Sequence, residues 1–149
     1  MKKIAIVLAS ILSVCSAHAD ELSAIAHGFS YHLDNHNFNQ QNYGVGLRFE
    51  RDDFGVQVGA YNNSIRKDGV YAIVDWSPLR TELFGCFTAE AGVFAGAATG
   101  YLYPVSPVAG LQSAIKCGKV FARVRVAPDP YYNSKAVGAV EVGLNLYRF

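Results

Sequence analysis

Between residues 54 and 78 apolar and polar side chains alternate with a period of two, twice, around a short polar insert. In the first run Val56, Val58 and Ala60 share one face, and Gln57, Gly59 and Tyr61 the other. The second run sets Val70, Ala72, Val74 and Trp76 against Tyr71, Ile73 and Asp75. Side chains of a strand point alternately to its two faces, so each run predicts a β-strand with one apolar and one mixed face. The insert carries Asn63, Ser64, Arg66, Lys67 and Asp68 and reads as a loop.

The same rhythm divides the chain into eight β segments, at about 22–32, 43–51, 54–62, 70–77, 83–97, 105–115, 119–127 and 136–149. The connections alternate in length. Those at 33–42, 63–69, 98–104 and 128–135 are longer; those at 52–53, 78–82 and 116–118 are tight. Across the segments the parity is kept. Val45, Leu47 and Phe49 oppose Arg48 and Glu50. Leu83, Phe87, Ala89, Ala91, Val93 and Ala95 oppose Thr88 and Glu90. Val120, Ala122, Val124 and Val126 oppose Arg123 and Arg125. A soluble sandwich buries the apolar parity. A barrel in lipid turns it outward and encloses the charges, where Glu90, Arg123 and Arg125 form an ion network. Parity alone does not separate the two.

The ends of the chain do. Lys2 and Lys3, an apolar stretch at 4–12 and Ala17-His18-Ala19 form a secretory leader, with the mature chain starting at Asp20. The apolar stretch is shorter than the ~20 residues of a membrane-spanning helix. Leu12-Ser13-Val14-Cys15 resembles a lipoprotein box, with Val14 a poor residue before the cysteine. At the other end Tyr147 and Phe149 resemble the terminal strand signature read by the barrel-insertion machinery. Val140, Val142, Leu144 and Leu146 lie on the opposite parity, so a bulge near Leu146 is needed to bring the two halves into one strand. Export, loop rhythm and ending together predict an all-β, eight-stranded, antiparallel, up-and-down transmembrane β-barrel over residues 20–149, in the bacterial outer membrane.

Composition agrees. Fourteen glycines and eighteen Phe or Tyr in 149 residues favour an all-β chain. Thirteen basic residues less Lys2 and Lys3 leave 11 against 12 acidic, and no run of like charge suggests a nucleic-acid partner. Cys86 and Cys117, exported as a pair, are a disulfide candidate at the open end of the hairpin around 98–104. Neither has a His or Cys at metal-ligand spacing, and no cofactor is expected. Pro104 and Pro107 open strand six, and Pro128 and Pro130 close strand seven at the same rim. Proline donates nothing to a ladder, so a gap in the wall is expected there, unless the prolines simply end the strands. Trp76, Tyr101, Tyr103, Tyr131 and Tyr132 lie near strand ends and read as an interfacial girdle.

Residues 43–149 resemble the lipid A palmitoyltransferase family. The similarity runs through Tyr43-Gly44-Val45-Gly46-Leu47, Tyr61 with Asn63-Ser64, Trp76-Ser77-Pro78-Leu79, Ala91-Gly92-Val93-Phe94-Ala95, Pro104 with Pro107, Ala127-Pro128 with Tyr131-Tyr132-Asn133, and Arg148-Phe149. The resemblance implies transfer of an acyl chain from a phospholipid to lipid A at the outer leaflet, by a monomer whose partners are membrane lipids, phospholipid and lipopolysaccharide. It implies His32 as general base, Ser64 as nucleophile or oxyanion donor, and Asn63 in a position the family fills with Asp. An amide orients an imidazole but does not stabilise its charge, and the analogous change in a serine protease triad costs ~10⁴ in rate. The glycine that floors the family's acyl pocket falls near Tyr71, so an inward Tyr71 makes the interior shallower. The opposing expectation is a non-catalytic barrel that stabilises the envelope or presents or blocks a surface receptor.

Overall fold

The computed structural model describes residues 21–33, 37–129 and 134–148. The expected leader at 1–19, Cys15, the expected start at Asp20, Pro130, Tyr131, Tyr132, Asn133 and Phe149 lie outside the described residues. Eight strands follow in order: β1 (Glu21–His32), β2 (Gly44–Arg51), β3 (Phe54–Asn62), β4 (Asp68–Glu82), β5 (Phe87–Ala98), β6 (Ser106–Cys117), β7 (Val120–Asp129) and β8 (Ser134–Arg148). Each pairs antiparallel with its neighbours in sequence, and β1 pairs with β8 to close the barrel. The predicted fold class holds.

Closure works because parity is kept around the wall. On β4, Val70, Val74 and Trp76 are exposed while Tyr71, Ile73 and Asp75 are buried. On β7, Val120, Val124 and Val126 are exposed, and Arg123 and Arg125 are buried. The exterior is therefore apolar and the charges are inside. A folded chain in water does the reverse.

Three expectations move. Strand four does not end before Pro78: it runs to Glu82, with a register shift between Trp76 and Leu79 that takes the imino residue out of regular pairing. The tight connection is therefore 83–86 rather than 78–82, and strand five starts at Phe87, which leaves Leu83 in the turn. Tyr101 belongs to no girdle; it packs against the interior apolar cluster. Aromatic rings near the tight-turn end are Phe54 stacked on Trp76 at 6.2 Å, Phe84 against Phe87 at 5.3 Å, and the exposed Tyr147. The bulge expected near Leu146 is present: Leu22 pairs Tyr147 and Ser23 pairs Asn145, so Leu146 is the extra residue.

At the tight-turn end Cys86 and Cys117 are bridged, with Cα atoms 4.9 Å apart. The β6–β7 turn passes through Gly118 at φ 59°, a conformation that side chains with a Cβ resist. These short connections put the longer loops, and the ends of β1, β3, β5 and β7, at one common rim.

Candidate functional site

The lumen is layered. Nearest the turns, Glu50 meets Lys116 and Arg48, and Glu90 meets Arg80 at 2.8 Å and Lys116 at 3.1 Å. Above them Arg48 is held by both oxygens of Asp75, and Gln112 donates to Asp75 at 3.0 Å and Ser77 at 2.8 Å. Arg123 and Arg125 both reach Glu141, at 3.0 and 2.8 Å, and Gln57 donates to the same carboxylate at 2.9 Å. Seven strands, β2 to β8, thus supply one network that crosses the lumen, as expected for Glu90, Arg123 and Arg125. Charges withdrawn from solvent persist only when paired in this way.

His27 and Tyr71 cap the network. The His27 ring shares a hydrogen bond of 2.6 Å with the Tyr71 hydroxyl, and Gln57 donates to that hydroxyl at 3.1 Å. Tyr71 does point inward. Its ring lies along the wall over Gly59 and Gly46, where a Cβ on either glycine would meet the phenol oxygen. The two glycines are what allow a bulky residue here without filling the lumen from wall to wall.

Above Tyr71 the lining turns apolar. Tyr71, Ile73, Phe94, Ala98 and Ala127 form the buried cluster, with Tyr61, Tyr101, Val108 and Val137 against it. They enclose a cavity of about 200 Å³, whose lining also includes His27, Ser30, His32, Asn42, Ser64 and Ser106. So the sequence-predicted His32 and Ser64 do share one cavity. His32 is buried and its ring lies 4.5 Å from Phe38. The Ser64 hydroxyl is 3.4 Å from the Asn42 amide nitrogen, and Asn42 also accepts a hydrogen bond from the Ser30 hydroxyl. Asn63 is fully buried beside them but is occupied otherwise. Its oxygen accepts from the Ile65 and Lys67 N–H groups at 3.0 and 2.9 Å, and its nitrogen donates to the Gly100 carbonyl at 2.8 Å. The carboxamide holds the 63–67 loop against the 99–105 loop.

The wall is incomplete beside the cavity. The β6–β7 ladder runs from Cys117↔Val120 to Leu111↔Val126 and no further among the described residues. Yet β6 stays paired with β5 up to Ser106, and β7 with β8 up to Asp129. Pro107 and Pro128, which have no N–H to donate, flank the unpaired segment and line the cavity. The gap expected from the prolines is there.

No family model matches this chain, and no curated protein matches it. Among solved structures it is similar to the N-terminal β-barrel domain of OprF from Pseudomonas aeruginosa. That match has 13% identity, covers 86% of this chain and 98% of the domain, and has a TM-score of 0.47.

Several lining residues escape sequence reasoning. His27 sits on the lumen parity of β1, two residues above Ile25, and that parity was its one available signal. Asn42 precedes β2, outside any periodic run, and Ser106 is masked by the proline that follows it. Glu141 lies on the parity opposite Val140 and Val142, and nothing in the sequence shows that it meets two arginines of β7.

Proposed function

We propose that this chain is a bacterial outer-membrane barrel whose rim cavity takes one acyl chain of a membrane lipid and, through His32 and Ser64, transfers it to lipid A. The observation that carries this reading is the continuity of the cavity from His32 and Ser64 to the unpaired β6–β7 segment at Pro107 and Pro128. A hydrocarbon tail enters sideways there, and the apolar lining takes it out of the bilayer at little cost, since one apolar surrounding replaces another. The apolar exterior is what supports the membrane setting.

In this reading His32 takes the proton of the acceptor hydroxyl as that oxygen attacks the ester carbonyl of the donor lipid. The tetrahedral oxyanion collapses, the donor ester C–O bond breaks, and the imidazolium returns its proton to the leaving oxygen. Ser64 serves as oxyanion donor rather than nucleophile, because the side chain beside its hydroxyl is an amide, Asn42, and not a base.

A second reading, a non-catalytic envelope barrel, is favoured by Asn63, whose carboxamide is spent on loop backbone. Mass spectrometry of lipid A from cells with and without the gene separates the two. Transfer predicts an added acyl chain that is lost in both His32→Ala and Ser64→Ala. An added chain that survives both changes removes this site, and no added chain with the wild-type gene leaves the non-catalytic barrel.

A further inference from the structure

We infer that Ser106 is a third hydroxyl of the cavity site, donating a hydrogen bond to the carbonyl at the head of a bound acyl chain. Ser106 is 5% exposed, and its hydroxyl has no hydrogen-bond partner among the described residues. Buried polar atoms in native proteins are nearly always satisfied, so an unsatisfied hydroxyl that faces a cavity marks a place for an acceptor atom, supplied by a ligand or by water. Ser106 lies on the lumen parity of β6, with Val108 and Gln112, and lines the cavity directly.

Its place in the barrel gives the hydroxyl a defined task. β6 is three strands from β1 by way of β7 and β8, and three from β3 by way of β5 and β4. Ser106 therefore stands on the wall opposite His32 and Ser64, at the same rim. A lipid head seated there meets His32 and Ser64 on one side and Ser106 on the other. At this edge Pro107 and Pro128 offer no N–H, so the Ser106 hydroxyl is a donor where backbone donors are missing. The walls below, Val108, Ala127 and Val137, accept only hydrocarbon. The cavity, about 200 Å³, exceeds the ~150 Å³ that encloses a benzene and suits a short stretch of chain. The ligand that satisfies both features is an acyl chain with a carbonyl at its head, as a free carboxylate or an ester.

The inference rests on the acyl-chain reading of the cavity but not on turnover. The test uses the refolded mature protein in vesicles of a diether phosphatidylcholine, which supplies no competing ester carbonyl. Octanoate and methyl octanoate, each carrying ¹³C at the carbonyl, are titrated into wild type and Ser106→Ala and followed by NMR. Octane, followed through the cavity methyls of Val108 and Val137, is the control without a carbonyl. The expected result is that Ser106→Ala binds the carbonyl probe about tenfold more weakly while octane binding is unchanged, the size of one hydrogen bond. Loss confined to the ester assigns the occupant to intact lipid, and loss confined to the carboxylate assigns it to free fatty acid. Equal binding of both carbonyl probes by wild type and variant overturns the inference, as does the absence of binding to wild type. Cells that show no lipid A modification would refute transfer yet leave a Ser106-dependent binding result standing.

Discussion

Replacing Glu141 by alanine removes the anion on which the lumen network converges. The carboxylate is 4% exposed and takes Arg123 at 3.0 Å, Arg125 at 2.8 Å and Gln57 at 2.9 Å, with His27 at 3.7 Å. Arg123, itself 1% exposed, has no other ion-pair partner among the described residues, so the change strands a buried guanidinium. Removing one member of a buried pair costs about 3–5 kcal/mol, far more than the net worth of the intact pair. Glu141→Gln keeps hydrogen-bond acceptance without the charge and should recover roughly half of the loss. In the double variant with Arg125→Met the two losses should fall short of their sum, because each removes the same contact. The assay is equilibrium urea unfolding of protein refolded into lipid vesicles. It is followed through Trp76, the sole tryptophan, which lies on the exterior at 46% exposure. A loss below about 1 kcal/mol for Glu141→Ala would mean that this layer is wet and screened, and would refute the reasoning.

Opening the bridge by Cys86→Ser with Cys117→Ser should destabilise the barrel by about 3–4 kcal/mol in the same assay, from the loop entropy of a 31-residue separation. A change under ~1 kcal/mol would show that the β5–β6 hairpin already holds the ends together without it. Gly59→Val should drive the Tyr71 phenol off the wall, break its bonds to His27 and Gln57, and cost about 1–3 kcal/mol. The measurement is the same unfolding curve, and adding Tyr71→Phe, which removes the oxygen nearest the new Cβ, should recover part of the loss; no recovery would refute the clash with the hydroxyl.

The strands were legible because a barrel wall imposes one rule on every segment, alternation, and this chain breaks it rarely. The Leu146 bulge was legible for the same reason: two stretches of opposite parity in one strand require an extra residue between them. The β4–β5 turn was misplaced because Pro78 looks like a strand end. Only pairing with β5 on the far side of the bulge shows that the strand continues through Leu79 to Glu82. The disulfide followed from topology, since a hairpin brings its two open ends together. The cavity was harder to see. Its two predicted residues, His32 and Ser64, came from a resemblance, and Ser30, Asn42 and Ser106 are small polar residues whose convergence depends on how three loops and one unpaired seam fold over the rim. The role of Asn63 was equally hidden: an Asn beside a Ser reads the same whether its carboxamide serves a loop or a neighbouring imidazole.

The claim beneath all of these is that the wall faces lipid and the charges face inward. Spin labels at single cysteines from Val70→Cys to Asp75→Cys, with the Cys86–Cys117 bridge intact, test it directly in vesicles. Collision rates with oxygen should peak at 70, 72 and 74, the exposed apolar positions, and fall at 71, 73 and 75, the buried ones. Oxygen partitions into hydrocarbon and a nickel chelate into water, so at the first set oxygen should dominate. Nickel access exceeding oxygen access at 70, 72 and 74 would place this face in water and contradict the account.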